Sequence, residues 1–413
     1  MNPGVMMGSH EGMKTRNGEE TARRLKYVCR LGYGDSLPKD EESSGDIPVF
    51  GSNGQYSTTS ERNTSAPAIV LGRKGSYGKV NWAPEGCFAS DTTFYIDSNQ
   101  SASNLRWLYW ALQTLKLDEG SQEAAVPGLN RESVYEQRVI YPDNETQRLI
   151  ADYLDRETAR IDALVAEKEK MLALLEEKRA ALISRAVTRG LDPTAPLKPS
   201  GLDWLGDIPA HWETRTLKKV SLRIDTGSTP SASYMDGTLL PQFLWFTPGD
   251  FENGGELIDS KRKIPIEAIE DKEAKVFPAN AIMVIGIGAT LGKVATSSVE
   301  FSANQQINVI YPSEETSSEF LLYALQGYEK VFRANANSAT LPILNQERLG
   351  AIHIPFPPME EQLLIAGKIR EKKAAERKIT EQLISSISLL KERRAALITA
   401  AVTGQIPAKE MRG

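Results

Sequence analysis

The sequence predicts an α+β protein in which two similar β-rich domains alternate with two long helices that carry a coiled-coil seam, paired within the chain as the economical solution or with another subunit as the alternative. Three observations carry this. Residues 145–188 form a stretch free of proline and glycine that returns at residues 360–403. Both copies place apolar residues at heptad spacing. The segments before them are rich in Gly, Ser and Asn around short β-branched runs, and these too resemble each other.

The repeat needs no gap, because Glu360 lies 215 positions after Glu145, as Arg394 does after Arg179. Glu145, Gln147, Leu149, Ile150 and Ala151 recur as Glu360, Gln362, Leu364, Ile365 and Ala366, and Arg179 to Ile183 recurs as Arg394 to Ile398. The apolar positions Ile150, Leu154, Ile161, Leu164, Met171, Leu175 and Leu182, and their counterparts Ile365, Ile369, Ile379, Leu383, Leu390 and Leu397, trace a coiled-coil seam. Lys168 stands opposite Leu383 in the alignment and Ile161 opposite Glu376, so each stripe is broken alone and the two helices suit each other better than themselves. About 44 helical residues make a rod of about 65 Å.

In chain order, residues 1–20 read as a disordered tail and residues 21–142 as the first β-rich domain, with strands expected at 47–50, 68–71 and 94–96. The apolar run 105–117, carrying Trp107 and Trp110, reads as a helix packed under the sheet. The first helical spacer is expected at 143–190. A proline-rich linker, 191–213, follows, whose Trp204 and Trp212 predict that it lies against the protein. The second β-rich domain spans 214–357, the second spacer 358–405, and a tail 406–413. Ala68 to Val80 resembles Ala281 to Val294 with one residue of slack, and Leu129-Asn130 returns as Leu344-Asn345.

At 413 residues the chain exceeds a single core, and its net charge of −5 excludes a generally adhesive nucleic-acid binder while leaving room for local basic patches. Two cysteines and three scattered histidines offer neither a disulfide framework nor metal-ligand spacing. With no apolar run of about 18 residues, no membrane contact is expected and the chain reads as cytoplasmic.

Tests for catalysis fail. Gly72 to Lys79 and Gly286 to Lys293 lack the P-loop pattern, and Gly286-Ile287-Gly288 with Gly292 misses the dinucleotide spacing. No Asn/Asp-Pro-Pro-aromatic segment is present to hold an amino group for methylation. Neither a catalytic residue, a cofactor-binding residue nor a metal ligand is predicted.

Binding features remain. Between Arg62 and Trp82 no acidic residue occurs, and Arg62, Arg73, Lys74 and Lys79 alternate with Ser76 and Tyr77. Basic groups hold phosphates, while Arg, Asn and Gln read base edges. Asn53, Gln55 and Tyr56 add short polar readers. The second domain offers Lys261, Arg262, Lys263 and Lys293, with Thr247 and Thr290 at loop tips. The retention of Gly-Lys-Val at 78–80 and 292–294 amid diverging surroundings favours a function for this loop.

The order of domains and helices resembles the specificity (S) subunit of type I restriction-modification systems. The resemblance rests on Asp203-Trp204-Leu205-Gly206-Asp207-Ile208-Pro209 with His211-Trp212, the Pro-Pro-x-Glu-Glu-Gln run at 357–362, and the KRAALI and RRAALI ends of the helices, and it extends from about residue 22 to 406. No counterpart of the 204–212 motif precedes the first domain. The resemblance implies that each β-rich domain is a target recognition domain for one half of a split site in double-stranded DNA. It further implies that the helices pair as an antiparallel coiled coil with pseudo-two-fold symmetry, set the gap between halves and dock methyltransferase (M) subunits, two in number, through residues such as Glu145, Gln147, Arg179, Glu360, Gln362 and Arg394. Motor-nuclease (R) subunits join for cleavage. S-adenosylmethionine, ATP and Mg are expected on those partners, with no cofactor in this chain. A rod of about 65 Å caps the site near 19 base pairs at about 3.4 Å each. Because Arg73 to Tyr77 aligns with Ile287 to Leu291, the two half-sites should differ. The competing expectation is a helical scaffold or adaptor without sequence-specific DNA binding.

Overall fold

The computed structural model describes residues 21–37, 45–118, 128–234, 242–251, 255–337 and 342–412. The predicted disordered tail, residues 1–20, lies outside them. The chain forms two compact units, residues 1–169 with 384–413 and residues 170–383, so each long helix contributes to both. The fold is α+β, with β-rich units alternating with the helices Asn144–Arg189 and Met359–Val402.

In the first unit, an antiparallel sheet orders the strands Gly32–Tyr33, Thr93–Ile96, Ala68–Gly72 and Val80–Ala83. A smaller sheet joins the hairpin Ile47–Gly51/Gly54–Thr59 to Phe88–Ala89. The Val-, Ile- and Leu-rich run Ala68–Gly72 is buried throughout, as a central strand with both faces covered must be. Against it lies the helix Leu105–Gln113, which begins where the Asn104 side chain accepts the Trp107 amide. Trp107 and Trp110 are core residues, and each buried side chain of this size contributes about 2 to 3 kcal/mol. Ile150, Ala151 and Leu154 of the first long helix and Ile398, Ala401 and Val402 of the second close the same core. The C-terminal segment is folded too, for Met411 is buried in that core and Arg412 pairs with Glu145 at 3.5 Å.

The second unit repeats this plan with a longer sheet, ordered Ser221–Thr226, Ile307–Pro312, Ile282–Ile285, Val294–Thr296 and Gly255–Glu256. The helix Ser318–Gln326 takes the place of Leu105–Gln113, with Ser317 accepting from the Phe320 amide. Ala186 and Val187 share a core with Ile365, Ala366 and Ile369.

The helices run antiparallel. In the first unit Arg394 forks onto Asp162 at 2.8 and 3.1 Å, and Lys391 reaches Glu169 at 3.2 Å, partners drawn from opposite ends of the repeat. The heptad expectation needs correction along its length. Ile150, Leu154, Ile161, Ile365, Ile369 and Leu383 are buried, but Leu164, Met171 and Ile379 are 40–45% exposed, while Val165 and Ile387 are buried instead. A straight helix drifts about 20° per heptad, and across the charged interruptions the seam moves to neighbouring positions.

The linker is likewise corrected. Trp212 is fully buried and donates to Glu361 Oε2 at 2.9 Å, but Trp204 remains 45% exposed, edge-on to Tyr328 at 4.8 Å. Among the described residues no helix is long and apolar enough to cross a membrane.

Candidate nucleic-acid interface

In the first unit the structure joins several of the predicted readers. The Ser52 hydroxyl and the Arg73 and Lys74 amides all donate to the Thr92 carbonyl, which ties the hairpin turn to the basic loop. The Lys79 ammonium donates to Asn53 Oδ1. Beside them Asn81 keeps its buried amide nitrogen without a partner among the described residues. Gln55, Tyr56, Lys74 and Ser76 are exposed and Tyr77 is half-buried. Arg62 donates to the Glu85 carbonyl at 2.9 Å, and none of its hydrogen bonds reaches that group.

Arg73 is held more firmly than a surface arginine. One terminal nitrogen donates to the Asp91 carbonyl at 2.6 Å, and the guanidinium stacks on Tyr33 at 5.3 Å and Phe94 at 5.7 Å. Arg131 lies over the same Tyr33 ring at 5.3 Å and over Tyr135 at 5.9 Å. Both arginines have a buried Nε without a hydrogen-bond partner among the described residues. Glu132 approaches Arg131 Nε only to 3.7 Å.

In the second unit Thr247 serves the backbone. Asp250 Oδ2 accepts from both its amide and its hydroxyl, at 2.7 and 2.8 Å, while Asp250 Oδ1 takes the Lys261 amide at 2.7 Å. Thr247 thus caps the turn Pro248–Asp250, a structural role beside its reading as a DNA contact. Lys293 donates to the Phe251 carbonyl at 3.2 Å, beside this turn. Lys263 pairs with Asp259 at 3.0 Å, Arg262 is exposed, and Thr290 sits half-buried in the tight turn before Lys293.

The recurrence of Gly-Lys-Val has a structural cause in two of its three residues. Gly78 is left-handed, with φ +81°, and a Cβ there would stand 2.4 Å from the Asp118 amide nitrogen. Gly292, with φ +93°, approaches Glu329 Cα to 3.2 Å on the same test. Val80 and Val294 begin sheet strands. Only the lysines are left for recognition.

The predicted partner contacts on the helices divide in the same way. Gln147 is fully buried, accepting the Asn104 amide at 2.9 Å and donating to the Pro142 carbonyl at 2.9 Å. Gln362 is fully buried as well, accepting the Ser317 amide at 2.8 Å and donating to the Glu315 and Pro357 carbonyls at 3.1 and 2.9 Å. The repeated glutamine is therefore a clamp from each long helix to its own β-rich unit, not a partner contact. Arg394 is likewise committed to Asp162. Glu145 and Glu360 are exposed. Arg179 lines a cleft of about 730 Å³ with Lys373, whose pKa is lowered first by burial and then by Arg179, against Glu319 and Glu256.

Sequence reasoning missed Tyr33, Arg131 and Gln346. The signal was present for two of them, since Arg131 and Gln346 both follow the repeated Leu-Asn. No spacing announces Tyr33, which reaches the arginines only through sheet pairing. Burial pushes the Cys29 thiol up to about 12 and the Cys87 thiol to about 11, leaving both inert. Among the described residues no group of three or more His, Cys, Asp or Glu could hold a metal ion.

Comparison with known proteins bears on the family and the fold. The profile of the type I restriction modification DNA specificity domain matches residues 18–173 and 209–389. The EcoDI specificity subunit of Escherichia coli is 21% identical over 411 residues, which covers 93% of this chain and 88% of that protein. The MjaIX specificity subunit of Methanocaldococcus jannaschii is 29% identical over 168 residues, and there the chain spans 38% of the relative's length. Among solved structures, one from work on complex assembly and conformational transition of the type I R-M system matches with a TM-score of 0.69 at 16% identity, over 94% of this chain and 98% of the other. The HsdS subunit from Thermoanaerobacter tengcongensis matches with a TM-score of 0.51 at 17% identity, over 94% and 97%. At these identities the structural likeness concerns the fold alone. The profile takes in both β-rich units and covers most of the chain, which therefore belongs to the type I restriction-modification DNA specificity family, whose members recognise DNA rather than catalyse.

Proposed function

We propose that the chain directs a restriction-modification complex to a bipartite, asymmetric site in double-stranded DNA, each β-rich unit reading one half, and that its long helices hold the methyltransferase and motor-nuclease subunits. The observation that carries this reading is one repeated scaffold offering two different sets of polar groups. Arg73, Arg131, Asn53 and Lys79 stand in one unit, while Gln346, Lys293 and Arg262 stand in the other. A shared frame with different readers suits a target whose halves differ.

Partner docking has its own support. Leu164, Leu174, Ile384 and Leu389 of the long helices are 40–61% exposed, and a docked subunit would cover them. Glu145, which also meets Arg412 at 3.5 Å, and Glu360 lie exposed at the helix starts, where a partner would reach them. S-adenosylmethionine, ATP and Mg belong to the partner subunits in this reading.

The test is sequencing of adenine methylation in a methyl-free host that expresses this chain with its M subunit, and again with the M subunit alone. A gapped two-part motif seen only with this chain supports the proposal. Association of the two proteins without any motif refutes it in favour of a scaffold.

A further inference from the structure

The two units place different side chains at one equivalent position, the first residue of a short helix opened by an asparagine cap. In the first unit Asn130 accepts the Glu132 amide and Arg131 begins the helix Arg131–Glu136. In the second, Asn345 accepts the Arg348 amide and Gln346 begins the helix Gln346–Ala351. The preceding segment is anchored alike, by the bridges Lys74↔Gly128 and Ile287↔Ile343. Both side chains then lean on the edge strand of their own sheet, Arg131 on Tyr33 and Gln346 on Thr226.

Each side chain is oriented by what it leans on. Arg131 lies over Tyr33, a ring that Arg73 also contacts, and its buried Nε has no hydrogen-bond partner among the described residues, the nearest carboxylate oxygen being that of Glu132 at 3.7 Å. Gln346 is oriented by a chain of hydrogen bonds whose direction is fixed at its buried end. Asn308 Nδ2 donates to the Leu344 carbonyl at 2.8 Å, so Asn308 Oδ1 must accept, and the Thr226 hydroxyl donates to it at 2.9 Å. The Thr226 oxygen is thereby an acceptor, and Gln346 Nε2 donates to it at 2.8 Å. An amide nitrogen has two protons. Gln346 is left with one N–H and its carbonyl oxygen on an exposed side chain.

These two leftovers are complementary to different purines. A planar guanidinium donates twice, to the O6 and N7 acceptors of guanine, whereas an amide accepts from N6 and donates to N7 of adenine. We propose that this position determines specificity in both units, Arg131 reading a guanine in one half of the DNA target and Gln346 an adenine in the other. The inference rests on the DNA-recognition reading given above.

The test uses the full complex with its M subunit and the motif that complex methylates. Duplexes carrying 7-deazaguanine or 7-deazaadenine at each purine in turn are titrated against the unaltered protein, then against Arg131→Ala and Gln346→Ala. One deazaguanine in one half and one deazaadenine in the other should each weaken binding about tenfold. Arg131→Ala should abolish the first sensitivity and keep the second, and Gln346→Ala the reverse, so each variant certifies its own folding through the half it retains. Loss spread evenly over all sequences, with a shallower salt dependence, would make these residues phosphate contacts and overturn the inference. Sensitivities unchanged in the variants would overturn it equally. A complex with no motif at all would instead remove the reading on which the inference rests.

Discussion

Replacing Gln362 with alanine removes three hydrogen bonds from a fully buried side chain and leaves the Ser317 amide and the Glu315 and Pro357 carbonyls unpaired. Each buried orphan costs about 1 to 3 kcal/mol. Water entering the vacated space recovers part of that, so the expected loss is about 3 to 4 kcal/mol. Because Ser317 caps the helix Ser318–Gln326, the loss should appear there first. Hydrogen exchange of that helix should accelerate by a factor of a few hundred, while the helix Leu105–Gln113 of the other unit keeps its protection. Gln147→Ala reverses the pattern and should cost less, since two bonds are lost rather than three. Gln362→Glu restores the acceptor for Ser317 but sets a carboxylate against two carbonyls, and should not rescue. A change below about 1 kcal/mol, with M-subunit binding lost instead, would refute the clamp and return Gln362 to the partner surface.

Gly78→Ala combines a left-handed residue with a Cβ 2.4 Å from the Asp118 nitrogen and should destabilise the first unit by about 2 kcal/mol or more, read from its denaturation midpoint. Lys373 has a folded-state pKa below its ordinary value of 10.5, so the unfolded chain binds its proton more tightly and stability rises with pH through the interval between the two values. Lys373→Met should accordingly stabilise the second unit near neutral pH, with the gain shrinking as pH approaches 10.5; an equal gain at both ends would contradict this. Lys79→Ala and Lys293→Ala should each weaken DNA binding and reduce the salt slope by about 0.9. Unchanged slopes would remove both lysines from the interface.

The sequence by itself determined the repeat, and with it the order of β-rich segments and long helices, because period and offset are local properties that survive without knowledge of any contact. It also revealed the buried runs Ala68 to Leu71 and Leu105 to Leu112 through their apolar density. It did not reveal what repeated polar residues do. Gln147 and Gln362 read as partner contacts because they recur on helices, yet burial turned them into clamps, and a buried amide must spend its hydrogen bonds inside the fold. Nor did it reveal that Asp250 and Asp162 would pair with Thr247 and Arg394, since folding alone chooses those partners. The heptad stripe showed that the helices pair but not where the seam leaves Leu164 and Ile379 in water. Tyr33, brought to both Arg73 and Arg131 by strand pairing, and the hydrogen-bond direction passed from Leu344 to Gln346 were decided only by tertiary structure, because both depend on groups distant in the chain meeting at hydrogen-bonding or stacking distance.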